Sequence, residues 1–179
     1  MSGMSQSEVA QAISRSRQYL NENPEKAHSR DSTATAVLED GLRVRVGGPH
    51  GWSLVTDMGA GVGGKGSAPT PGWMLRSASA ACLVSLIAMR AAEKGVSLNL
   101  LEVDVDSDSD DRGLLGVGKD TPAGPLALRT VVRIAANDTE EAALHDIVRW
   151  ADEHSPVDDA LRRAVPVELT VVIGRAENG

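Results

Sequence analysis

Residues 70–95 read TPGWMLRSASAACLVSLIAMRAAEKG, and the fold turns on this stretch. Thr70 is a good N-cap, and Pro71 is favoured at the first helical position. Gly95 suits the left-handed end of a helix. The spacing therefore predicts a long helix from about Pro71 to Glu93. Between Ser77 and Met89 no side chain carries a charge. A helix that is apolar all round is a buried helix and needs cover on every side. One sheet covers only one side. The sequence therefore predicts that a second copy of the chain supplies the rest.

On the N-terminal side of this helix, residues 32–38 (STATAVL), 42–47 (LRVRVG) and 52–57 read as strands. Glu39-Asp40-Gly41 and Gly47 to Gly51 are the turn signals between them. A three-stranded antiparallel meander is expected. Further upstream, Ser5 and Glu8 have the spacing of a capping box. Val9, Ala12, Ile13 and Leu20 give that segment a helical stripe. Asn21 to Arg30 is polar, contains Pro24, and reads as a linker. Residues 1–30 are thus expected to be a helical extension and linker, and residues 31–175 the main domain.

On the C-terminal side, residues 97–106 and 128–135 read as strands. Asp108 to Arg112 lies between them as a solvated turn. Asp138 with Glu141 predicts a capping box opening a helix to about Glu153, with Leu144, Ile147, Val148 and Ala151 inward. Ser155-Pro156 with Asp158 predicts a short helix. Val165, Val167, Leu169, Val171 and Ile173 alternate as a closing strand would. The order is α+β with mostly antiparallel sheet, not the βαβ alternation of a nucleotide-binding domain.

Composition narrows the function. The 179 residues carry a formal charge of −7 and no basic run, which argues against a nucleic-acid partner. There is no Phe, and only Trp52, Trp73, Trp150 and Tyr19 bear large rings, so packing rests on aliphatic side chains. One cysteine rules out an intramolecular disulfide. Met1 to Tyr19 has no apolar signal core, and the uncharged stretch Ser77 to Met89 is too short to span a bilayer. The expectation is a cytoplasmic protein with no membrane partner.

Several motifs mimic chemistry they do not support. Gly59 to Gly64 matches G-x-G-x-x-G, and Gly59 to Lys65 matches the first seven positions of a P-loop. Gly66 stands where a P-loop needs Ser or Thr, and the helix starts several residues too late to present its N–H groups to a phosphate. A tight, flexible loop is the expectation. Asp104, Asp106, Asp108, Asp110 and Asp111 resemble a calcium loop. The sixth and twelfth positions hold Ser109 and Leu115, not the Gly and Glu that such a loop requires. His154-Ser155, with Asp152 and Asp158 nearby, superficially suggests a hydrolase, but Ser155 is better explained as a helix cap. His28, His50, His145 and His154 show no ligand spacing, so neither metal nor other cofactor is expected.

Cys82 is the remaining candidate. In a helix rich in Ala and Ser, a cysteine is ordinarily a small buried hydrophobe. As a nucleophile it would attack the O–O bond of a peroxide as thiolate, which requires a positive group nearby. The helix N-terminus is about eleven residues away, too far for its dipole to act. Arg76 lies about 120° round the helix from the thiol. Arg43 and Arg45 are candidates, since strand alternation puts both on one face. Ser79 and Ser85, three residues either side of Cys82, share its side of the helix.

Taken together, several stretches resemble the OsmC/Ohr family. They are Gly63-Gly64-Lys65-Gly66 leading to Pro69-Thr70-Pro71, Ser79-Ala80-Ala81-Cys82-Leu83, and Arg112-Gly113. Ser155-Pro156-Val157 with Leu161, before the valine-rich end, completes the set. The likeness covers roughly residues 32–173. It implies an OsmC-like fold, with mostly antiparallel sheets wrapped around a long central helix in an intertwined homodimer. It also implies a thiol peroxidase that reduces organic hydroperoxides in an oxidative stress response. The family pattern puts its nucleophile at Cys82 and its activating arginine at Arg43. The family's resolving cysteine falls at Ser155 and its helix-start glutamate at Gly72, so this chain resembles a branch lacking the resolving thiol. Two functions follow. One is a one-cysteine peroxidase restored by an external thiol. The other is a non-catalytic dimer that binds a small apolar ligand at the subunit interface, with Cys82 as packing.

Overall fold

A computed structural model describes residues 5–174. Helix α1 (Gln6–Glu22) opens with the expected capping box. The Ser5 side chain accepts from the Glu8 N–H, and the Glu8 carboxylate accepts from the Ser5 N–H. A 3₁₀ turn at Pro24–Lys26 begins the linker. Strands β1 (Thr35–Asp40), β2 (Arg43–Gly47) and β3 (Ser53–Thr56) form the antiparallel meander. Ala36 pairs with Val46, and Val46 with Leu54.

The glycine-rich loop folds back on the end of β3. The N–H of Gly66 donates to the Met58 carbonyl at 3.0 Å. A Cβ on Gly64 would lie 1.9 Å from that same carbonyl oxygen, so no larger residue fits. Asp57, 1% exposed, holds the loop from inside. Its carboxylate accepts from the Ser67 N–H and hydroxyl and from the Met58 N–H. These donors, Ser67 first, hold the Asp57 carboxyl below the usual aspartate range. The N–H groups of Val62, Gly63, Gly64, Gly66 and Ser67 are thus bonded within the chain.

Helix α2 (Pro71–Glu93) follows, capped by the Thr70 side chain, which accepts from the Trp73 N–H. Its full 23 residues are long and apolar enough to cross a bilayer by length and composition, which the shorter uncharged stretch alone does not suggest. Here the helix packs against α1 and β4, and against α4 and α5 introduced below. Expected to be buried all round, it buries one stripe: Ser79, Leu83, Ile87 and Ala91, four residues apart. On another face Ala78, Ala81, Ser85 and Ala88 are exposed.

Strands β4 (Leu98–Asp108) and β5 (Ala127–Ala136) form a second, antiparallel sheet. Its acidic alternation forms the solvated end of β4, the reading preferred over a calcium loop. Asp104 pairs with Arg133, and Asp106 and Asp108 with Arg129, across the outer face. Exposed pairs of this kind contribute little stability. The one-turn helix α3 (Asp111–Leu114), capped by Asp110, was not foreseen. Helix α4 (Glu141–His154) lays Ile147 and Ala151 against Leu83, Ile87 and Ala91 to form the core. The Asp138 capping box does not form. Glu140 takes the N-cap position without a side-chain bond, and Asp138 sits at φ 54°, in a left-handed turn. Helix α5 (Pro156–Arg162) is capped by Ser155 as expected.

Helix α1 docks on the far end of α2 through an Arg17–Glu93 ion pair and a Gln6 bond to the Val96 carbonyl. The guanidinium groups of Arg17 and Arg90 lie 5.9 and 4.9 Å from the Trp150 ring centre. Leu20, expected inward, is exposed. The closing strand expected at residues 165–173 finds no partner strand among the described residues. Val167, Leu169 and Ile173 are 89%, 88% and 92% exposed. Alternation survives in the sequence, but a strand needs a neighbour to pair with.

Candidate active site

Cys82 lies on α2, one residue before the buried Leu83, so its side chain sits at the edge of the core stripe and is half-buried. Ser155, at the junction of α4 and α5, is completely buried. Its hydroxyl donates to the Cys82 sulfur across 3.3 Å. The oxygen of that hydroxyl accepts from the Asp158 N–H at 3.2 Å, which is the helix-cap bond. Asp158, 7% exposed, accepts from the Ser79 hydroxyl at 2.6 Å through Oδ1. Its Oδ2 is buried and has no hydrogen-bond partner among the described residues. Two bonds, Ser79 to Asp158 and Ser155 to Cys82, therefore tie α5 to α2 on either side of one helical turn.

Sequence reasoning identified Ser155 as a cap and Ser79 as sharing the thiol's side. It did not connect them. Ser79 donates to Asp158 instead of approaching the sulfur, and Ser85 bonds back to the Ala81 carbonyl. Asp158 was missed as a buried group. An acidic residue in the first turn of a short helix is ordinarily solvated, and nothing in its neighbours signals burial. Beside Asp158 a cavity of about 250 Å³ is lined by Ser79, Leu128, Thr130, Leu161 and Arg162. The Arg162 guanidinium is raised above its usual range, first by its bond to Asp152.

Arg43 and Arg45 share a face, as the alternation required, since both pair with Glu39. Arg43 also donates to the Ser67 hydroxyl at 2.8 Å. Among the described residues neither arginine bonds to Cys82. Gly72 lines a cavity of about 420 Å³ at the start of α2, with Met58, Leu75, Leu114 and Pro125 among its walls. No group of three or more His, Cys, Asp or Glu side chains among the described residues could hold a metal ion.

The model of the OsmC-like protein family matches residues 64–170, more than half of the chain, and the chain belongs to that family. The matched region holds α2 and the whole Cys82–Ser155–Asp158 network. No curated protein sequence matches it. Solved structures share the fold. An OsmC-like protein from Mycoplasma pneumoniae superposes with a TM-score of 0.64 at 16% identity, covering 76% of this chain and 91% of that one. An organic hydroperoxide resistance protein OsmC from Legionella pneumophila gives 0.54 at 21% identity, covering 75% and 91%. One from Elizabethkingia anophelis gives 0.55 at 16% identity, covering 76% and 91%. At these identities the likeness establishes architecture: antiparallel sheets and a long central helix.

Proposed function

We propose that this chain is a thiol-dependent organic hydroperoxide reductase of one-cysteine type, acting in the oxidative stress response of the cytoplasm. The observation that carries this reading is the half-buried Cys82 thiol meeting a hydroxyl, Ser155, where the family resemblance puts a second thiol. The Cys82 thiolate attacks the terminal oxygen of R–O–O–H. The O–O bond breaks, Cys82 becomes a sulfenic acid, and the alkoxide takes a proton to leave as R–OH. Ser155 cannot form a disulfide. An external thiol therefore condenses with the sulfenic acid and releases water, and a second external thiol frees Cys82 as the mixed disulfide is exchanged.

The working form is proposed to be a homodimer. The exposed Ala78, Ala81, Ser85 and Ala88 face would let another helix approach closely. The unpaired valine-rich segment would complete a sheet in the partner. Arg43, from the three-stranded sheet, is proposed as the cation that favours the thiolate, with Arg45 on the same face as the alternative. Trapping of sulfenic acid at Cys82 by a dimedone-type reagent, read by mass spectrometry after organic hydroperoxide treatment, tests the reading. No adduct, with peroxide consumption unchanged in Cys82→Ser, would end it.

The cavity beside Gly72 favours a second reading, in which the protein binds a small apolar molecule and Cys82 only packs. On that reading the native thiol resists alkylation until the protein unfolds.

A further inference from the structure

We infer that Ser155 is a fixed hydrogen-bond donor to the Cys82 sulfur, held in that role by Asp158 and Ser79, and that it stabilises negative charge on the sulfur. The inference rests on the reading of Cys82 as a nucleophile and names a group that acts on its reacting atom.

A serine hydroxyl has one proton to give. The Ser155 oxygen already accepts from the Asp158 N–H at 3.2 Å, and the sulfur lies 3.3 Å away on the donor side. Ser155 is completely buried, so water does not compete for that proton. Its direction is set by the backbone of α5, and α5 is set by the Ser79–Asp158 bond. Asp158 has one orphan oxygen in a buried position, a cost that a helix held only by its own packing would not carry. Asp158 and Arg162 line the same small cavity. The thiol is thus met by a donor from α5 in a chain where Gly72 offers no side chain at the helix start. Asp158 and Ser79 are positioning residues; Ser155 alone touches the sulfur.

The test is the rate at which iodoacetamide alkylates Cys82 in the folded, full-length protein at neutral pH. Ser155→Ala should be alkylated roughly 10- to 100-fold more slowly, the worth of one hydrogen bond to a charged group. Ser155→Thr, which keeps the hydroxyl, should stay near the native rate. Ser79→Ala should slow the reaction by a smaller factor, and it serves as the measurement if Ser155→Ala does not fold. Loss of the α5 cap alone would loosen the helix and expose the thiol, which speeds alkylation, so the sign separates the two effects. A Ser155→Ala rate equal to or above native overturns the inference, as does Ser155→Thr reacting as slowly as Ala. A native thiol inert until unfolding overturns both this and the reductase reading. Slower alkylation of Ser155→Ala with no sulfenic acid after peroxide treatment sinks only the reductase.

Discussion

Replacing Ser155 with cysteine should create a disulfide to Cys82 without moving either helix. The present gap between hydroxyl oxygen and sulfur is 3.3 Å. A disulfide needs about 2.05 Å between its sulfurs. A C–S bond is longer than the C–O bond it replaces, which takes up part of the difference, and a side-chain rotation takes up the rest. The bridge would close a loop between positions 73 apart in sequence. On the chain-entropy account, that loop is worth about 4 kcal/mol. Loss of the serine cap costs about 1 kcal/mol, but it is present in both redox states of the variant. Oxidised Ser155→Cys should therefore melt roughly 8–16 °C above its own reduced form, at about 2–4 °C per kcal/mol for a chain of this size. Thiol titration of the denatured protein after mild oxidation gives the chemistry, and a thermal melt with and without reductant gives the energy. If both thiols persist in the oxidised sample, or pair only between chains, Ser155 does not face Cys82 and the site as described is wrong.

Other outcomes are open to simpler measurements. Ile87→Ala empties the centre of a core built from few large side chains and should cost about 2–5 kcal/mol in urea denaturation; a loss under 1 kcal/mol would mean the core lies elsewhere. The folded-state carboxyl of Asp57 is held low by its donors, so its stabilisation is complete above the ordinary aspartate range, about 4, and disappears as pH falls through the depressed folded value. Asp57→Asn should thus be less stable than native at pH 6, with the gap closing in strong acid; a pH-independent gap would refute the linkage. A chain cut after Ala164 should sediment as a monomer while the full chain sediments as a dimer, because Val167, Leu169, Val171 and Ile173 lie exposed and would pack against the partner. Equal sedimentation of the two would show that residues 165–179 are not the link.

Much was legible in sequence because the relevant physics is local. Thr70-Pro71, Ser5 with Glu8, and Ser155-Pro156 each satisfy free backbone N–H groups within a turn, and all three helix starts fall where they were read. Strand alternation put Arg43 and Arg45 on one face, and Glu39 pairs with both. The failures were also physical. Asp138 has the spacing of a cap, but the turn after β5 drives it to a positive φ and leaves Glu140 to start the helix. The segment at 165–173 carries a strand's pattern but, among the described residues, has no strand beside it.

By itself the sequence determined where the helices begin, which side chains face inward along α4, and that the only thiol sits midway along the longest apolar helix. Those are consequences of period, cap chemistry and composition, each readable within a few residues. Only the tertiary structure decided that Ser155, 73 residues from Cys82, donates to its sulfur, and that Asp158 is buried between Ser79 and α5. Such contacts depend on how α5 crosses α2. That crossing is a property of the packed core, and no local pattern encodes it.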